Sequence, residues 1–146
     1  AGRAVVFGLI ERGVKTIQVV NRTYEKAVAF RERFGPSVHP AHWSDLPRLL
    51  AGAGLLANAT SLGMKGQPPL EIDLSPMPAG AVVADIVYIP LKTKLLEAAE
   101  KRGFKTSNGL DMLLHQAVRP FELWFGVRPQ VTKEQRDMLV ADIPKD

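Results

Sequence analysis

Short apolar runs alternate along this chain with stretches whose apolar residues return every three or four positions, and few folds accommodate that alternation. Residues 16–20 form a short β-branched run, the pattern of a strand buried on both faces. Residues 23–34 then read as a helix, with Thr23 as N-cap, Glu25 in the first turn and Gly35 as terminator. A short strand over 38–42 and a short helix over 44–50, capped by Ser44, come next. Residues 55–60 and 81–88 are apolar strands, the second the most apolar of all, separated by a loop dense in Pro and Gly over 61–80. A helix over 93–102 ends at Gly103, and 104–107 is a last strand. Residues 110–125 make a long amphipathic helix that Pro120 should kink or divide. Thr132-Lys133-Glu134-Gln135 is a capping box for a final helix running to 143.

Strands alternating with helices predict an α/β fold: a Rossmann-like, doubly wound parallel sheet with helices on both faces. Such sheets bind ligands beyond the C-terminal ends of their strands. Four polar clusters lie where buried strands run out: Asn21-Arg22-Thr23, Asn58-Ala59-Thr60-Ser61, Asp85 to Tyr88, and Asn108-Gly109. The chain itself opens inside a helix, with Val5, Val6, Leu9 and Ile10 at helical spacing and Gly13 at its end. In a dinucleotide-binding fold a central strand and a glycine-rich turn come before that helix. The sheet is therefore expected to be incomplete at its N-terminus, and the chain to be a fragment of a longer polypeptide.

Composition excludes several classes. The 146 residues contain no cysteine, so there is no disulfide framework, thiolate metal site or cysteine nucleophile. No apolar run reaches the roughly 20 residues that span a bilayer, and no signal peptide is visible. These features predict a soluble, cytoplasmic protein with no membrane partner. The charge of +4 comes from Lys and Arg scattered among Glu and Asp, without an aromatic-interleaved basic run. That balance suits a small anionic ligand and gives no support for nucleic acid. His39, His42 and His115 show no metal spacing, and no metal is expected.

Arg22 is the most telling residue. It stands at a strand end where the next helix points its free backbone N–H groups, and a helix N-terminus with a guanidinium makes a strong anion site. At this place in the fold a carboxylate accepts from the ribose 2′-hydroxyl of NAD, whereas an arginine pairs with the 2′-phosphate of NADP. No carboxylate ends this strand, so NADP is favoured over an exposed arginine without a ligand.

Taken together, five words resemble the shikimate dehydrogenase family in order and spacing. They are Asn21-Arg22-Thr23; Asn58-Ala59-Thr60-Ser61-Leu62-Gly63-Met64; Asp85-Ile86-Val87-Tyr88 with Pro90, Thr93, Leu95 and Leu96; Asn108-Gly109-Leu110 with Met112, Leu113 and Gln116; and Phe121-Glu122-Leu123-Trp124. The resemblance implies the NADP-binding lobe of an enzyme that interconverts 3-dehydroshikimate and shikimate, a step in making chorismate and the aromatic amino acids. By position, Ala1 matches the end of the family's phosphate loop, and Asn21, Arg22, Thr23 and Lys26 match the block around the 2′-phosphate. Lys26 stands where Arg is frequent, which keeps the charge but loses the fork geometry. Thr60, Ser61, Ile86, Gly109 and Met112 match positions around the nicotinamide, while Tyr88 and Gln116 match residues that reach the substrate hydroxyls. Asp111 replaces a common glycine.

The resemblance also implies what this chain lacks. The family's proton donor, a lysine paired with an aspartate, belongs to an N-terminal substrate lobe, so no catalytic residue is expected here. Lys65 and Lys92 lie near the loops, but neither matches that lysine. Residues 1–130 would form the cofactor lobe and 131–146 a C-terminal helix packed on the absent lobe, leaving Val131, Met138, Leu139 and Ile143 uncovered. Three alternatives stay open: an NAD-using quinate/shikimate dehydrogenase, glutamyl-tRNA reductase (which shares Asn-Arg-Thr but not the Gln116 pattern), and a non-catalytic nucleotide-binding module. A homodimer is left open as well.

Overall fold

The computed structural model describes residues 1–143. In chain order they form α1 (Gly2–Glu11), β1 (Ile17–Val20), α2 (Tyr24–Phe34), β2 (Val38–Ala41), a 3₁₀ turn (Trp43–Asp45), α3 (Leu46–Leu50), β3 (Leu55–Asn58), β4 (Val82–Asp85), α4 (Lys94–Lys101), β5 (Lys105–Ser107), α5 (Gly109–Phe125) and α6 (Lys133–Asp142). Every strand pairing is parallel, and the strands fall into two sheets, β1-β2 and β3-β4-β5. The chain divides accordingly into two compact units: Ala1–Gly54 with Asp73–Ala79, and Leu55–Ile72 with Gly80 onward.

In the first unit β1 and β2 run in register from Ile17↔Val38 to Val20↔Ala41. Val6 of α1, Ile17 and Val38 are buried together, with Leu9, Ile10, Val19, Phe30 and Phe34 packed against them. Each such aliphatic side chain contributes about 1.5–3 kcal/mol on burial, an upper bound because the unfolded chain already buries some of it. Arg31 secures the α2–β2 connection: its Nη1 donates to the carbonyls of Pro36 at 2.7 Å and Val38 at 2.9 Å. Gly35 ends α2 at φ 83°, a left-handed backbone that only glycine adopts cheaply.

In the second unit β4 is central, with Leu55↔Val82 and Val82↔Lys105 as its first pairs. Val83 is buried on it, as are Leu95, Leu96 and Ala99, three residues of α4 at helical spacing. Thr93 caps α4, its Oγ1 accepting from the Leu96 N–H.

Several boundaries differ from those expected. The strands expected at 55–60 and 81–88 stop at Asn58 and Asp85, because each of these side chains accepts the N–H two residues on and turns the chain out of the sheet. Ser44 does not cap a helix: Trp43–Asp45 is a 3₁₀ turn, and Asp45 instead accepts from the His42 N–H at 3.1 Å. Thr23 does occupy the N-cap of α2, but its hydroxyl makes no cap bond. Pro120 does not divide α5, which continues from Gly109 to Phe125 although proline offers no N–H to the Gln116 carbonyl four residues back. The capping box of α6 forms as read, with Thr132 and Gln135 exchanging bonds at 3.0 and 3.3 Å.

Candidate functional site

The strand ends of the first unit carry the residues assigned to an anion. Beyond Val20, Asn21 Oδ1 accepts the Thr23 N–H at 2.9 Å, closing a turn that leads directly into α2. Because the Thr23 hydroxyl makes no cap bond, no side chain at the N-cap occupies the helix's first N–H groups. Arg22 and Lys26 are exposed, and among the described residues neither is held in an ion pair, so both charges are available to a ligand. Glu25 is also exposed in this first turn. Ala1 stands before α1, where its carbonyl accepts from the N–H groups of Ala4 and Val5. His42, to which the sequence assigned nothing, stacks on Tyr24 with ring centres 4.0 Å apart and planes 11° from parallel. The register Val20↔Ala41 explains the meeting: Asn21 and His42 leave the sheet side by side.

The second unit carries the other assigned residues, and several of them lie on loops held by one buried polar cluster. Asn58 and Asp85 occupy paired positions at the ends of β3 and β4. Asp85 Oδ1 accepts from Asn58 Nδ2 at 2.9 Å and from the Val87 N–H at 3.0 Å, while its Oδ2 accepts from Thr93 Oγ1 at 2.7 Å. Asn58 in turn accepts at Oδ1 from both the N–H and the hydroxyl of Thr60, and donates to the Leu62 carbonyl. Asn58, Asp85 and Thr93 are each only 2–3% exposed. A buried carboxylate of this kind is tolerated when donors surround it, and here three do.

This cluster sets the loops that bear the predicted contacts. Thr60 and Ser61 emerge exposed beyond Asn58, and Ile86 and half-buried Tyr88 follow Asp85. Backbone bonds tie the loops further: Ile86 N–H to the Asn58 carbonyl, Lys65 N–H to that of Ile89, and Gly109 N–H to that of Val87. Gly109 lies so close to the Ile86 carbonyl that any side chain would collide with it. Met112 and Gln116, one turn apart on α5, are both exposed. Asp111, in the same first turn, accepts from Arg136 of α6 at 3.0 Å, so the residue that departs from the family's glycine anchors the last helix.

A polar cavity of about 260 Å³ lies beside Lys92, Glu100, Thr106, Asn108, Asp111 and Arg136. Its charges are already engaged: Lys92 Nζ donates to Glu100 at 2.7 Å, which raises the lysine pKa and lowers the glutamate's. Among the described residues no group of three or more His, Asp or Glu could hold a metal ion, and no helix is long and apolar enough to cross a membrane.

Sequence reasoning quoted Asn58, Asp85 and Thr93 without giving them a role. The available signal was polar residues closing otherwise apolar strands. Their convergence on one carboxylate depends on the β3–β4 register, which no local pattern reveals.

Residues 1–64 match the family model described as shikimate / quinate 5-dehydrogenase, and residues 109–133 match the shikimate 5′-dehydrogenase C-terminal domain. The NADP(+)-type shikimate dehydrogenase of Rhodopseudomonas palustris (strain TIE-1) is 62% identical over 98% of this chain. The chain spans about half the length of the curated relatives it matches. Among solved structures, the quinate dehydrogenase of Corynebacterium glutamicum in complex with NAD aligns at TM-score 0.84 and 31% identity, over 96% of this chain and 51% of that one. The shikimate 5-dehydrogenase of Thermus thermophilus in complex with NADP(H) and shikimate aligns at 0.79 and 32%, over 98% and 51%. The fold is the Rossmann-like α/β class that the alternation of segments predicts.

Proposed function

This chain belongs to the shikimate dehydrogenase family, and we propose that the polypeptide carrying it reduces 3-dehydroshikimate to shikimate with NADPH, reversibly. The observation that most supports this reading is the 62% identity to a protein named for NADP(+), covering nearly all of the chain. The residues suit the cofactor: at the end of β1 stand an asparagine and an arginine that is unpaired among the described residues, with no carboxylate in the turn and a helix N-terminus without a side-chain cap following.

In this reading Arg22 and Lys26 neutralise the 2′-phosphate, while Asn21, through its bond to the Thr23 N–H, holds the turn that presents them. Ala1 belongs to the pyrophosphate end. Thr60, Ser61, Ile86, Gly109 and Met112 border the nicotinamide, and NADPH supplies the hydride. Tyr88 and Gln116 hydrogen-bond the substrate hydroxyls and fix its orientation. The proton for the developing alkoxide comes from the lysine of an N-terminal lobe. We assign the exposed Leu123, Trp124 and Phe125 at the end of α5, and Met138 of α6, to packing on that lobe. A cysteine-free chain suits a reducing compartment, and we place the protein in the cytoplasm.

The likeness to an NAD-bound quinate dehydrogenase favours a second reading, with NAD as cofactor. The test is turnover of 3-dehydroshikimate by the full polypeptide. Consumption of NADPH much faster than NADH supports the proposal; the reverse preference supports the second reading. Cofactor binding without turnover would make this a nucleotide-binding module.

A further inference from the structure

Thr93 belongs to neither set of assigned ligand contacts, yet both loops of the second unit depend on it. Its hydroxyl donates to Asp85 Oδ2 at 2.7 Å, and Asp85 holds Asn58 and the Val87 N–H through its other oxygen. Asn58 then fixes Thr60 by two bonds to one oxygen, at 3.0 and 2.7 Å. The non-polar side of Thr93 lies against Gly63, where a Cβ would come to 3.4 Å from both its Cβ and its Cγ2. A single 2%-exposed threonine thus orients the turn bearing Thr60 and Ser61 and the turn bearing Ile86 and Tyr88. It does so from the N-cap of α4, whose backbone is held in turn by its buried leucines.

We infer that Thr93 is a positioning residue for the nicotinamide end of the cofactor site, acting through Asp85 and Asn58 and touching no ligand. The inference rests on the proposed function and deepens it. Two features distinguish this role from that of an ordinary helix cap. A cap needs only an oxygen that accepts from the Leu96 N–H, and here that bond is long, at 3.4 Å. The short bond is the one donated to the carboxylate, and losing it would free Asp85 to rotate away from Asn58 and Val87.

The test compares two ligands in the full polypeptide. NADP⁺ carries both a nicotinamide and a 2′-phosphate, whereas adenosine 2′,5′-bisphosphate carries the 2′-phosphate without a nicotinamide. Thr93→Val keeps the shape and removes the hydroxyl. It is expected to weaken NADP⁺ at least about tenfold and to leave the bisphosphate within about twofold, because Arg22 is untouched. Thr93→Ser, which keeps the hydroxyl, is expected to restore NADP⁺ binding to within about twofold of the parent. If the valine variant is too unstable to purify, Thr93→Ala also removes the hydroxyl that ties Asp85 to α4 and should show the same split.

Equal weakening of both ligands would overturn the inference in favour of a general structural role. So would unchanged NADP⁺ binding in a folded valine or alanine variant. If the parent binds the bisphosphate and not NADP⁺, or binds neither, the proposed function fails first and takes this inference with it.

Discussion

Asn58 and Asp85 face each other across the ends of two parallel strands, with 2.9 Å between Nδ2 and Oδ1 and both side chains buried. The carboxylate accepts three hydrogen bonds, so Asp85→Ala would strand three buried donors at once. At 1–3 kcal/mol for an unsatisfied buried group, with partial relaxation, the loss of stability should be about 2–4 kcal/mol. Asp85→Asn keeps the oxygen that serves Asn58 and Val87 and should cost less than half as much. Urea unfolding of both variants tests this; equal losses would show that the charge, rather than the bonds, matters.

Gly109 donates its N–H to the Val87 carbonyl while its α-carbon rests on the Ile86 carbonyl. Gly109→Ala must push the start of α5 away from the segment just after β4, which is held by the Ile86 N–H on the Asn58 carbonyl and by Gly109's own bond to Val87, and backbone cannot rotate aside as a side chain would. The expected loss is about 3 kcal/mol or more, enough to show as poor soluble yield and a lower Tm. Gly8, whose Cβ would meet nothing within 4 Å, is the control: Gly8→Ala lies in α1 and should be neutral or slightly stabilising.

At the end of α5, Glu122 accepts from Arg119 at 2.8 Å and from Arg128 at 3.1 Å, linking the helix to the segment beyond Gly126. The hydrogen bond from Arg119 is the main cause that lowers the glutamate pKa below its usual 4.5, and Arg128 adds to it. A depressed carboxylate contributes stability above its unfolded pKa, and that contribution disappears as pH falls through the folded value. Glu122→Gln should therefore melt below the parent at neutral pH, and the gap should close on acidification below pH 4.5. Tm measured against pH decides it, a gap independent of pH being the contrary result.

The fold was legible because its signals are local. The β-branched run at 17–20 (of which only Ile17 proves fully buried), the leucines of α4 and the glycines at 35 and 103 each declare their element from a few neighbouring residues. The errors occurred where a side chain competes for backbone. Asn58 and Asp85 looked like strand continuations because their neighbours are apolar, yet each captures an N–H two positions on and ends the strand. Pro120 was expected to kink or divide its helix, and α5 is not divided there. In the site, the exposed residues were placed by motif, whereas the hub joining them was not. That hub needs residues 27 apart in sequence to meet, which follows only from sheet register.

Gln116 and Met112 project exposed from the first two turns of α5, and Gln116 is proposed to reach a substrate hydroxyl. Gln116→Ala in the full polypeptide should raise the KM for shikimate by roughly tenfold, the scale of one hydrogen bond of about 1.4 kcal/mol, with the KM for NADP⁺ nearly unchanged. An unaltered shikimate KM would leave Gln116 as one more solvated helix residue.

Arg22 offers the sharpest contrast, because NADPH and NADH differ only in the phosphate it is proposed to hold. In the turn after β1 its guanidinium is exposed and unpaired among the described residues, and the following helix start adds favourable dipole. Arg22→Glu replaces an attraction with a repulsion against a group carrying up to two negative charges. Charge-assisted hydrogen bonds of about 1.5–3 kcal/mol predict a loss of NADPH affinity of at least tenfold to a hundredfold, with NADH altered by less than about threefold. Titration of both cofactors against the parent and the variant measures the ratio directly. Parallel losses would move the 2′-phosphate away from Arg22, and Lys26→Glu would then be the substitution to examine, since Lys26 is the other exposed cation in the first turn of α2.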